Sequence, residues 1–225
     1  MAFGLIEAGF TPGDKLVLYC DPTNSAESVV TQMGAIKAGI AVVTFDEKDS
    51  AEAFDHALAT SKAKGLIFSP STEAGEDQTR KTFLQSMMPE LATMYGGQAL
   101  NLAKYPNLRH IVQTGHSAMR GVNKFRDLAV YANPAMSTRQ IPDNHSDWVT
   151  HVVYKNGKEH CTLTSGELVQ KVNGLWESPL SAAGSGPVFM ACDMENPLGL
   201  ASFLACSTNF KKVFMPASFN MSQVL

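Results

Sequence analysis

Residues 151–170, HVVYKNGKEHCTLTSGELVQ, carry side chains of the kinds that could bind a phosphate. Phosphate oxygens call for backbone N–H groups turned inward, a cation and hydroxyl donors. Gly157 and Lys158 supply a glycine and a cation after an apolar run. Thr164, Ser165 and Gly166 supply two hydroxyls and a glycine ahead of a helical pattern. A strand leading through a loop into a helix is the arrangement that cradles phosphates in many folds. Against this, the loop has a single glycine, and Asn156-Gly157 is a strong signal for a two-residue type I′ hairpin turn, whose central positions both need positive φ. The stretch is a working loop, a reduced one, or an ordinary hairpin.

The Thr164-Ser165-Gly166 triplet has a local explanation. With Thr164 as helix cap, Glu167 falls at the third helical position and completes a capping box. With Ser165 as cap, that position holds Leu168 and no box forms. A helix N-terminus can also hold an anion, but a plain cap accounts for every residue type without one.

Other clusters are weaker. His151 and His160 lie on two runs joined by the hairpin and could face each other, with Cys161 beside them as a further metal-ligand type. Neighbours on a strand point to opposite faces, so His160 and Cys161 cannot both join His151, and no metal is expected. His145-Ser146-Asp147 holds triad residue types, but adjacency is not triad geometry. The AGSG run at 183–186 precedes a strand, whereas phosphate loops follow one.

The elements that must position these residues read as α/β. KLVLYC (15–20), IAVVTF (40–45) and KGLIFS (64–69) are short apolar strands. A helix capped by Asn24 or Ser25 and a second capped by Asp49 or Ser50 separate them. Such units predict a mostly parallel sheet flanked by helices, with right-handed crossovers. A largely helical insertion over about 71–107 follows, with TRKTFLQSMMPELATMY interrupted at Pro89; its helix packs in the core or binds a partner, and the core is the expectation. LRHIVQTG (108–115) is a strand and GVNKFRDLAVYANP (121–134) a helix. The polar linker AMSTRQIPDNHSD is the expected boundary between a first α/β segment, 1–140, and a second, 141–225, which together could form one continuous domain. The second segment holds strands at 148–155 and 159–164, a helix at 165–176, and a strand–helix–strand unit at 187–193, 197–208 and 211–216.

Composition sets outer limits. The 225 residues are 44% hydrophobic and 17% charged, which fits a globular chain rather than a disordered one. Net charge is −3 and the basic residues are scattered, so no nucleic-acid partner is expected. No apolar run approaches the roughly 18 residues that span a bilayer, and the opening MAFGLIEAGF lacks the features of a signal peptide. Cys20, Cys161, Cys192 and Cys206 fall in or beside apolar runs without C-x-x-C spacing, and read as small buried hydrophobes in a reducing compartment.

The order of the pieces resembles the large domain of the adenylate-forming enzymes, the acyl-CoA synthetase and AMP-binding superfamily. GFTPGDKLVLYCDPTNSAESVVTQMGAIKAGIAVVTFD matches its opening pattern at Gly13, Asp14, Gly34, Ala35, Lys37, Ala38 and Gly39. YPNLRHIVQTG, TLTSGELV and the run from FMACDMENPLG to the C-terminus resemble later segments in order. The resemblance implies a Ser/Thr/Gly-rich phosphate loop, T-S-G-T-T-G-x-P-K-G, between the two strands around Gly157. Here KNGKEHCT stands in its place, about four residues shorter. Gly157 and Lys158 hold the vestigial phosphate-loop position, and Thr164 and Ser165 the position that follows it. Where the family has a neutral aromatic or imidazole lining its acyl and adenylate pocket, CDMENPLG has Asp193 and Glu195, which would repel a phosphate. The family's later motifs lie beyond Leu225. The resemblance therefore implies a member that has kept the fold and lost the chemistry. It is expected to be non-catalytic, with no cofactor, and to act as a structural or accessory subunit whose partners are other protein subunits. By analogy with enzyme-derived subunits of large mitochondrial assemblies, such an assembly is the expected setting. The alternatives are a segment of an active ATP-dependent ligase and a nucleotide- or CoA-binding module without chemistry.

Overall fold

The computed structural model describes residues 1–20, 25–45, 50–70, 79–95, 98, 100–115, 119–130, 143, 145–180, 186–190, 192, 194 and 196–215. A seven-stranded sheet organises them, in the order β5-β4-β3-β1-β2-β6-β7. Its strands are β1 (Lys15–Tyr19), β2 (Ala41–Phe45), β3 (Gly65–Phe68), β4 (His110–Gln113), β5 (Asn123–Lys124), β6 (Val149–Lys155) and β7 (Lys158–Thr164). All neighbours pair in parallel except β6 and β7. The expected class, a mostly parallel sheet flanked by helices, is therefore the observed one.

Strand alternation divides the apolar residues between two layers. Val17, Val43, Leu66, Ile111 and Val152 face one layer with α3 (Ala51–Ser61) and α4 (Thr79–Met87). Leu16, Leu18, Val42, Ile67 and Val112 face the other, with α1 (Ala2–Glu7), α2 (Ser25–Lys37) and α5 (Phe125–Val130). Ser50 caps α3, accepting from Ala53 N at 3.2 Å. The other proposed caps, Asn24 and Asp49, lie outside the described residues.

The part of the second segment that follows β7 packs against α2, while β6 and β7 extend the sheet. Helix α6 (Ser165–Leu175) and α7 (Pro197–Thr208) bury Leu163, Leu168 and Ala201 against Ile36. The two-stranded parallel pair β8 (Val188–Phe189) and β9 (Val213–Phe214) joins Met190 and Met194 around Val29.

Several expectations change. The opening apolar run forms α1, a helix without a side-chain cap or charged turns to announce it. The 121–134 stretch begins as β5 before α5. The helix at 79–95 stops at Met87, and a 3-10 turn, Pro89–Thr93, follows, because proline cannot donate to the preceding turn. Its Leu84, Met88 and Leu91 belong to the core. The last two strands are reduced to two residues each. Of the four cysteines, Cys20 and Cys206 are buried, but Cys161 and Cys192 are exposed, Cys161 because β7 is the outer strand of the sheet. The 71–78 loop, most of the 135–147 linker, most of AGSG, and Asp193 and Glu195 lie outside the described residues. No described helix is long and apolar enough to cross a membrane.

Candidate functional site

Strands β6 and β7 are joined by two residues, Asn156 and Gly157, with φ of 51° and 73°. Both are positive, as a type I′ turn requires, which explains the residue types. Gly157 is also buried against the start of α3, where a Cβ would lie 3.3 Å from the Ala53 backbone. Lys158 follows at the first position of β7 with its side chain exposed. The turn leaves no loop around a ligand at this position.

The triplet further on is a helix cap. Thr164 Oγ1 accepts from Glu167 N at 3.3 Å, and the Glu167 carboxylate accepts from Thr164 N at 2.8 Å, a complete capping box. The Thr164 backbone and hydroxyl bonds hold the Glu167 carboxyl below its ordinary range. The next two amides are also occupied. Ser165 N donates to Trp148 O and Gly166 N to Ser146 O, both at 2.8 Å. A Cβ on Gly166 would stand 3.1 Å from Ser146 O, so this glycine serves the approach of the 145–148 turn. An anion at a helix N-terminus needs free N–H groups. The first three amides of α6 have partners inside the chain. Within His145-Ser146-Asp147, the His145 ring meets Trp148 edge-on at 4.9 Å and Ser146 contributes its carbonyl to the cap.

His151 and His160 do not face each other. The register pairs His151 with Leu163, because a one-residue shift at Val153/Tyr154 displaces β7 from the register that the turn sets. His151 is fully buried, with Nε2 at 3.1 Å from Gln32 Oε1 and Nδ1 at 3.2 Å from Thr150 Oγ1. Gln32 Nε2 donates to Met194 O at 2.6 Å, which leaves its oxygen to accept from His151 Nε2–H. Burial pushes the His151 imidazole down to about 4. This ring therefore ties β6 to α2 and, through Gln32, to the segment before α7. His160 is exposed, and among the described residues no cluster of three His, Cys, Asp or Glu could hold a metal.

Sequence reasoning missed two places. A cleft of about 420 Å³ opens at the amino ends of β1, β2 and β6, with Lys15, Asp147, Trp148 and Glu159 among its lining residues. At the opposite, carboxyl end, the buried Arg80 side chain reaches from α4 to Ser69 Oγ, 2.7 Å away, and stacks over Tyr19. Both depend on which strands become neighbours, which no local spacing reveals.

The fold is that of the acyl-CoA ligase large domain, in part. A mutant form of coronafacic acid ligase from Pectobacterium brasiliense superposes with a TM-score of 0.69 at 15% identity, over 95% of this chain and 38% of that one. A protein from Rhodopseudomonas palustris described as a long-chain-fatty-acid CoA ligase gives 0.71 at 13% identity, over 99% and 49%. O-succinylbenzoate coenzyme A synthetase from Bacillus subtilis, solved with ATP and magnesium, gives 0.62 at 14%, over 99% and 49%. No curated protein sequence matches the chain. The model of the AMP-binding enzyme family matches residues 1–117, more than half of the chain, and the chain belongs to that family. It spans less than half the length of these solved relatives.

Proposed function

We propose that this chain is a non-catalytic relative of the acyl-CoA synthetases that serves as a structural or accessory subunit of a larger assembly, mitochondrial by analogy. The observation that carries the proposal is the hydrogen bonding at the vestigial site. Asn156-Gly157 closes the phosphate-loop position as a two-residue turn, and the first three α6 amides after Thr164 bond within the chain. Lys158 and Ser165 hold positions of the family's site without a cradle between them. Segments 1–140 and 141–225 act in this proposal as one continuous domain, joined by β6 on β2 and by the Gln32–His151 contact. Exposed aromatic side chains at Phe189, Phe210 and Phe214 support a protein partner, since apolar surface of this kind favours cover.

The test is release of pyrophosphate from ATP and magnesium with a panel of carboxylic acids, run beside measurement of the native mass from the source organism. The proposal expects no release above a protein-free control and a mass well above 24.3 kDa. Acid-dependent release would overturn it in favour of the second reading, a segment of an active ligase. The short share of each solved relative that the chain spans is what favours that alternative.

A further inference from the structure

Arg80 holds a charge that the described structure leaves without a counter-charge. Its side chain enters from the first turn of α4 and lies at the carboxyl ends of β1 and β3, with the residue only 6% exposed. Nη1 donates to the neutral Ser69 hydroxyl, and the guanidinium stands 4.5 Å from the Tyr19 ring centroid. Nε is enclosed and has no acceptor. The ion pairs among the described residues are Lys64–Asp14 and Lys104–Asp55, and neither involves Arg80. A guanidinium keeps its charge, and an aromatic face offsets only part of what burial costs it.

The surroundings of Arg80 favour a ligand. The chain leaves β1 through α2 toward β2 and leaves β3 through α4 toward β4, in opposite directions along the sheet. Open α/β sheets bind ligands in the crevice at such a reversal, at the carboxyl ends of the strands. On the adjoining strand end, Thr114 N donates to Phe68 O at 2.9 Å, which sets Thr114 beside Ser69. The Thr114 hydroxyl is likewise buried without a partner.

We propose that this crevice binds an oxyanion through Arg80, and that its ligand class is the phosphoryl group of a small phosphorylated molecule. A guanidinium edge can engage two oxygens, which a carboxylate would supply in full. A phosphoryl group brings a third oxygen and more charge, and so leaves an acceptor for a neighbouring hydroxyl. This site goes beyond the proposed function and stands apart from the hairpin, since β2 lies between β1 and β6.

The test is a residue-resolved NMR titration of the full chain with sodium phosphate, and separately with ribose 5-phosphate, against sodium chloride at matched ionic strength. The expected result is saturable shifts at Tyr19, Ser69, Thr114 and the Arg80 Nε–H that chloride does not produce. Arg80→Lys weakens them by about tenfold or more, and Arg80→Met removes them. Tighter binding of ribose 5-phosphate assigns a phosphoester ligand, and tighter binding of phosphate assigns the free ion. Should Arg80→Met fail to fold, the wild-type titration and Arg80→Lys still decide. Absence of saturable shifts at Arg80, or shifts unchanged by Arg80→Lys, would overturn the proposal. Failure of the non-catalytic proposal would appear elsewhere, as perturbation at Gly157 and Lys158 by ATP and magnesium.

Discussion

The hairpin with its helix cap and the crevice at β1 and β3 are opposite cases. In the first, residues that resemble a phosphate site by type have their donors bonded within the chain: Thr164, Ser165, Gly166 and Glu167 all find partners. In the second, residues with no motif to mark them leave a guanidinium nitrogen and a hydroxyl buried without acceptors. The two regions differ in the balance of donors and acceptors after folding. A buried polar group normally finds a partner, so the unpaired ones carry the information.

Four substitutions or conditions press on that contrast. The largest effect belongs to His151, which anchors the strand leading into the hairpin. The unfolded chain takes up a proton there below 6.5, and the folded chain resists it down to about 4. Stability therefore falls as pH drops through that window and levels off below it, by on the order of 3 kcal/mol from this group. Replacing His151 by glutamine should flatten that part of a urea-denaturation pH profile. Next is Gly157→Val, which forces a β-branched residue to positive φ and crowds Ala53. It should cost about 2 kcal/mol in chemical denaturation while leaving the phosphate response at Arg80 intact. Thr164→Ala removes the cap and should cost about 1 kcal/mol, with any response to added phosphate unchanged, because the neighbouring amides are already bonded within the chain. Lys158→Ala is the smallest: a stability change within about 0.5 kcal/mol and no change in nucleotide response. A loss of ATP response in Lys158→Ala would erase the contrast, because it would make the hairpin a binding site.

The legible part of the molecule was the local part. Asn156-Gly157 and the Thr164…Glu167 box span four residues or fewer, so composition and spacing specify them before any tertiary contact forms. The apolar runs of β1, β2 and β3 were equally plain, because strands covered on both faces need not alternate with polar residues. The pairing of His151 was not legible, since a shift at Val153/Tyr154 resets the register that the turn had fixed. Cys161 was misplaced because a strand's sequence does not say whether it ends the sheet. Arg80 sits on a helix expected in the core, but the spacing gives no sign that a charged residue is among its buried ones. Its burial follows only from β1 and β3 becoming neighbours across about fifty residues of chain.

The proposed function requires that the hairpin position no longer receive nucleotide phosphates. Amide NMR of the intact chain titrated with ATP and magnesium tests it most directly. The prediction is that Asn156, Gly157, Lys158 and the amides of residues 164–167 keep their positions throughout, with any shifts confined to the Arg80 crevice. Saturable movement of Gly157 and Lys158 would contradict it, and would return this hairpin to the working phosphate loops of its family.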